Sequence, residues 1–173
     1  MKIGFCGTMS VGKTTLVKAL KELPEFEDYT FRTERSKYLM EMGIPLNTDS
    51  TLKGQLVFAA ERASELMQEN IITDRTVIDV MAFTRKAKSI SVIDGDDFCD
   101  YAKRFLREYN YLFYVSPEGV NLEDNGIRTT DVAYRKEIDN EIKMLLHQFV
   151  PTYHIIKGTT EERIQQVKEV VNM

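Results

Sequence analysis

The sequence holds no tryptophan, two cysteines, two histidines and four prolines among its 173 residues. Each scarcity removes a class of protein. Cys6 and Cys99 stand far apart, and a single pair is too few for a disulfide-stapled secreted scaffold. They read as reduced thiols in a reducing compartment, with Cys6 buried in a strand. His147 and His154 lack metal-ligand spacing, and neither a Cys-x-x-Cys pair nor a Ser-His-Asp arrangement offers another chemistry. Apolar runs stop well short of the roughly 18 residues a membrane span needs, so no membrane partner is expected. The first apolar run is short and is interrupted by a glycine-rich loop, which argues against a signal peptide. A cytoplasmic location is therefore the default expectation. Basic charge is also in short supply. The 23 Lys and Arg against 27 Asp and Glu leave a net charge of −4. A non-specific nucleic-acid binder would rely on a basic surface to neutralise phosphates. A basic cleft on an acidic body remains compatible with this balance.

What is present alternates in pattern. The length fits one domain, residues 1–173, and can bury a core without staples. Strand-like runs fall at Lys2–Cys6, Tyr29–Thr33, Asn70–Asp74, Tyr111–Val115 and Tyr153–Lys157. Helix-like stretches lie between them: Thr14–Leu23, Ser36–Gly43, Thr51–Asn70, Ile78–Ala87, Asp96–Tyr109, and one marked by Ile138, Ile142, Leu145, Leu146 and Phe149. A last helix follows Thr159, which can form a capping box with Glu162. On Thr51–Asn70 the apolar stripe is Leu52, Leu56, Ala59, Ala63, Leu66 and Met67. Five strands joined by helices predict an α/β fold: a five-stranded parallel sheet with helices on both faces, three layers in all. The polar stretch Ser116–Asp131, with one proline, two glycines and two asparagines, is the best loop candidate, and its length marks it as functional.

Between the first strand and the first helix runs Gly7-Thr8-Met9-Ser10-Val11-Gly12-Lys13-Thr14-Thr15, which satisfies G-x-x-x-x-G-K-S/T in full. In such a loop, glycines let successive N–H groups turn toward phosphate oxygens. Lys13 would neutralise β- and γ-phosphate charge, the Thr14 hydroxyl would ligate Mg²⁺, and the following helix adds its positive end. The strand–loop–helix context is the one the motif requires. The pattern predicts binding of a nucleoside triphosphate.

The reaction class follows partly by exclusion. The guanine-reading N-K-x-D stretch and the D-x-x-G switch of a GTPase are absent. A motor-type ATPase usually carries a second acid beside the one ending its acidic strand, to activate water. Here "IITDRT" places Arg75 directly after Asp74, which suits an anionic or polar substrate better than a hydrolytic water. The stretch "TDRTVIDVMAF" resembles the D-R or E-R-S element of P-loop nucleoside and nucleotide kinases, including thymidylate and deoxynucleoside kinases. The wider chain is similar to small AAA-domain or nicotinamide riboside kinase-like proteins, through "GTMSVGKTT", "TERSKYLMEMGI", "EDNGIRTTDVAYRKEID" and "IKGTTEERI" in the same order.

That resemblance implies the nucleotide kinase-like P-loop fold with a mobile lid at about residues 116–131, and ATP-dependent phosphoryl transfer. Asp74 would hold Mg²⁺ through water or act as base, unless it merely caps the next helix. Arg75 would clamp substrate or phosphate, with Asp79 one turn on to orient it. Glu34, flanked by Arg32 and Arg35, takes the place of the acid that accepts a proton from the attacking hydroxyl. Arg128 would be the lid arginine that stabilises the transferring group, and Arg135 lies close enough to reach the same phosphates. Thr159 and Thr160 follow Gly158 where similar kinases pack the adenine, although the capping box explains Thr159 equally well. Gln55, Phe58 and Arg62 share the helix on which similar kinases place base-recognising residues. Taken singly, each reads more readily as a solvated edge.

The expected activity is transfer from ATP, with Mg²⁺, to a nucleoside, nucleoside monophosphate or similar small hydroxyl compound. A kinase acting on nucleic-acid ends or modified bases, and a non-kinase ATP-binding regulator, are the competing readings. Similar kinases often pair as homodimers through helices, yet no leftover apolar stripe marks such a face.

Overall fold

In the first and fourth strands, successive side chains leave for opposite faces, and both faces are apolar. Ile3, Phe5, Phe113 and Val115 meet one hydrophobic cluster, while Cys6, Leu112 and Tyr114 meet another. Such strands must be covered on both sides, which is the condition for a parallel sheet between helical layers. The structure, a computed structural model, describes residues 1–33, 36–118 and 131–172. In chain order it contains β1 (Lys2–Cys6), α1 (Lys13–Lys21), β2 (Thr30–Arg32), α2 (Ser36–Glu41), α3 (Leu52–Glu65) and β3 (Ile71–Asp74). Then come α4 (Val77–Lys86), α5 (Val92–Ala102), β4 (Tyr111–Val115), α6 (Val132–Phe149), β5 (His154–Ile156) and α7 (Thr160–Val171). The strands pair in parallel in the order β2-β3-β1-β4-β5. Helices α1 and α7 pack on one face, where Leu16, Val17, Leu20, Val167 and Val171 meet the sheet. Helices α4, α5 and α6 supply the other core, with Ile78, Met81, Phe98, Ile138 and Leu145. The expected three-layer arrangement is the observed one.

Two helices depart from expectation. Helix α3 ends at Glu65, and only part of the apolar stripe turns inward: Leu52 and Ala59 pack against the core and Leu66, just past the helix end, is buried in it, beside polar groups. Leu56 is exposed and Met67 is 82% exposed, whereas Gly54, Gln55, Arg62 and Glu65 are buried. Helix α5 begins at Val92 rather than Asp96, because the Ser91 hydroxyl accepts from the Asp94 N–H and caps the helix one turn earlier. Its later part tightens into a 3-10 segment, Lys103–Glu108, that buries Leu106. Helix α7 has the full capping box of Thr159 and Glu162. Among the described residues no helix is long and apolar enough to cross a membrane. Both cysteines are free and buried. The expectations for Glu34, Arg35, Arg128 and the lid fall on residues 34, 35 and 119–130, which lie outside the described residues. Of the loop ends, Asp131 caps α6 by accepting from the Tyr134 N–H at 3.0 Å.

Candidate active site

β1 occupies the centre of the sheet, and the phosphate loop leaves its carboxyl end. Gly7 has φ +148°, and a Cβ there would stand 2.7 Å from the Val115 carbonyl oxygen, so the position excludes any side chain. Gly12, at φ +85°, turns the chain into α1 without a side-chain cap. No side chain caps α1, and a helix start of this kind turns its N–H groups and its positive end toward the loop, where an anion can be held. Several of the loop's carbonyls are already claimed. Lys13 Nζ donates to the Gly7 and Thr8 carbonyls at 2.6 Å each. Arg163 Nη1 donates to the Val11 carbonyl at 2.6 Å, and its Nη2 reaches the Ser116 carbonyl at 3.4 Å. Thr8 Oγ1 donates to the Arg135 carbonyl at 2.9 Å, and Arg135 Nη2 donates to the Ser10 carbonyl at 3.4 Å. Met9 and Val11 are buried, while Thr15 is exposed on α1.

β3 brings Asp74 beside this loop, in register with Phe5 of β1. The Thr14 hydroxyl donates to Asp74 Oδ2. Asp74 does not cap α4. That duty falls to Thr76, whose side chain accepts from the Ile78 N–H while Asp79 accepts from the Thr76 N–H at 2.8 Å. A hydroxyl and a carboxylate side by side at the loop's base are hard oxygen donors of the kind Mg²⁺ takes alongside substrate phosphates. The two residues fit the ion.

Arg75 is a non-glycine residue in the left-handed region, with φ +82°. Its Nη1 lies 3.5 Å from Asp79 Oδ1, and its guanidinium sits 5.1 Å from the centroid of the Phe83 ring. Asp79 is fully buried and also accepts from the Gly7 N–H at 3.2 Å. Burial pushes its carboxyl above the ordinary aspartate value, against the opposing pull of Lys13, Arg75 and the Thr76 and Gly7 N–H groups. One carboxylate thus ties the phosphate loop, the start of α4 and Arg75 together, which is more than the orienting role expected from sequence.

Beside Arg75 a cavity of about 50 Å³ opens, walled by Met9, Ser36, Gln55, Phe58, Asp79 and Phe83 among others. Gln55 is only 2% exposed, so the solvated-edge expectation fails for it. It fails for Phe58, which is half-buried in the same wall. It fails for Arg62 too, but Arg62 does not line the cavity. It is 3% exposed and is spent on an ion pair with Glu65 and on main-chain carbonyls. Arg32 ends β2 as an exposed residue. Thr159 is engaged in its capping box.

Sequence reasoning missed Arg163. The signal was available, since Arg163, Val167 and Val171 follow one another at four-residue steps and form the buried stripe of α7.

Several solved structures share this architecture. Deoxyadenosine kinase from M. mycoides with bound dATP matches with TM-score 0.70 and 17% identity over 100% of each chain. NadR protein in complex with NR matches with TM-score 0.74 and 17% identity, over 99% of this chain and 51% of that one, so this chain spans about half of NadR. YorR protein from Bacillus subtilis, in complex with phosphorylated GDP, matches with TM-score 0.61 and 14% identity over 99% and 96%. At these identities the likeness is one of fold, the P-loop kinase fold. No curated protein matches the sequence. The family model described as an AAA domain matches residues 2–163, nearly the whole chain, and the protein belongs to that family.

Proposed function

We propose that the protein is a kinase that moves the γ-phosphoryl group of ATP, with Mg²⁺, to a nucleoside, a nucleoside monophosphate or a similar small hydroxyl compound. One observation carries the reading: the acid bonded to Thr14 is followed by Arg75, which borders a pocket, and not by a second carboxylate. Hydrolysis would favour a carboxylate there to activate water, whereas an arginine beside a partly aromatic pocket favours a polar or anionic acceptor. The dATP bound to deoxyadenosine kinase and the phosphorylated GDP bound to YorR, two proteins of the same fold, support the same class.

Phosphoryl transfer needs positioning and charge neutralisation more than covalent chemistry. On nucleotide binding, Lys13 would exchange the Gly7 and Thr8 carbonyls for phosphate oxygens. Thr14 and Asp74 would hold Mg²⁺, which neutralises charge on the β- and γ-oxygens when bound. Phe58 and Phe83 offer flat apolar surface to a base, and the Gln55 amide offers a donor and an acceptor to its edge. Arg75 would hold the acceptor end. Glu34 or Asp74 would accept the proton from the attacking hydroxyl, and Arg128 would be the lid arginine. The cavity has room for a few water molecules, so an acceptor of nucleoside size must open its wall.

Incubation of purified protein with ATP, Mg²⁺ and a nucleoside and nucleotide panel tests this. ADP release that depends on one acceptor class is expected. Activity on none would overturn the reading. Slow ATP hydrolysis indifferent to acceptor would favour the regulator, and a shift of labelled oligonucleotides the nucleic-acid kinase.

A further inference from the structure

Arg62 is a buried cation on α3, the helix whose Gln55 and Phe58 wall the cavity, but Arg62 itself does not line it. Its Nη2 lies 2.8 Å from Glu65 Oε1, and Glu61 is 3.9 Å away. Its Nη1 is aimed at two successive main-chain carbonyls, Asp74 at 3.3 Å and Arg75 at 3.4 Å. Those carbonyls bracket the residue held at φ +82°. A left-handed non-glycine residue is strained and persists only when its surroundings over-determine it. Contacts that do so include the Arg75 N–H donating to the Phe5 carbonyl at 3.0 Å, Asp79 facing the Arg75 guanidinium, and Arg62 holding both carbonyls. Burying a charge is costly unless it is paired, and Glu65 supplies the partner.

We propose that Arg62, braced by Glu65, is a positioning residue: it pins the left-handed turn after β3 and so fixes the Asp74 carboxylate beside Thr14. The proposal rests on the kinase reading only for the duties of Asp74 and Arg75. A permanently charged, planar fork suits the task, because one guanidinium can serve a carboxylate and two carbonyls at once. Loss of the pin would let Arg75 relax out of its left-handed conformation. The Asp74 side chain, at the preceding Cα, would then lose its register with Thr14.

The test compares Arg62→Met, Arg62→Lys, Arg75→Gly and the Arg62→Met/Arg75→Gly double variant in two measurements that need no acceptor. The first is thermal unfolding of the nucleotide-free protein. Glycine adopts the turn without strain, so Arg62→Met should lower Tm less in the Arg75→Gly background than in the wild type. The second is ADP affinity with and without Mg²⁺. Arg62→Met should lose roughly 10- to 100-fold of the Mg²⁺-supported affinity, the usual effect of removing a partner behind a metal ligand, and keep the Mg²⁺-free affinity. Arg62→Lys keeps a charge beside Glu65 and should fall between, and it carries the comparison if Arg62→Met does not fold. Additive Tm losses together with wild-type Mg²⁺ dependence in the folded Arg62 variants would overturn the proposal. The acceptor panel, by contrast, bears on the kinase reading alone.

Discussion

Arg75 combines a strained backbone with a side chain in the site, and the two can be separated by substitution. Arg75→Ala and Arg75→Gly both remove the guanidinium, but only glycine is at ease at φ +82°. Arg75→Gly is therefore expected to be more stable than Arg75→Ala by about 1 kcal/mol in denaturant unfolding, with turnover lost in both. Equal stabilities would show that the turn carries no strain. Lys13→Ala should abolish turnover and leave the far-ultraviolet dichroism and cooperative melting of the protein intact, because the two carbonyls it releases lie in a loop and not in the sheet. The thiols form a third residue-scale case. Burial pushes Cys99 up to about 11, and Cys6 well above its ordinary value. A thiol reacts as its thiolate, so neither should label with an aromatic disulfide reagent at pH 8 until denaturant is added. Rapid labelling of the native protein would contradict their placement in the core.

Elements were legible where one pattern decided them. The phosphate loop, the five strands and the α7 capping box follow from local rules, and the structure has them where the sequence put them. Thr159→Ala should cost about 1 kcal/mol and lower Tm by about 2–4 °C, the penalty of an uncapped helix start. An unchanged Tm would leave Thr159 without its structural role. In helix α3 the apolar pattern marks the helix and the core contacts of Leu52, Ala59 and Leu66, but not the polar part of the inward face. This helix borders a polar site, so Gln55, Arg62 and Glu65 turn inward and Leu56 and Met67 outward. The buried polar spacing of 55, 62 and 65 was in the sequence, but nothing local distinguished it from a solvated face. Helix α5 was misplaced for a related reason. Val92 and Ile93 are apolar yet exposed at 80% and 74%, so the first turn carried no core signal, and only the Ser91 cap marked it.

At the scale of the molecule, strand order makes the site. β1 lies between β3 and β4, so the chain crosses over on either side of it, and ligands bind in the crevice outside the carboxyl ends at such a point. The same order sets Asp74 against the loop and brings Arg135 of α6 and Arg163 of α7 to the loop's carbonyls. None of these long-range meetings is encoded locally, although Asp74-Arg75 could be picked out as an acid and an arginine at a strand end. In the proposed reaction this assembly sends the phosphoryl group to an acceptor hydroxyl and not to water. The most direct measurement is ADP release by the wild type and Lys13→Ala with Mg²⁺ and ATP, with and without each nucleoside or nucleotide of a panel. Release should rise with one acceptor class, with a matching phosphorylated product, and vanish in Lys13→Ala. Release that no acceptor changes, or that survives in Lys13→Ala, would contradict it.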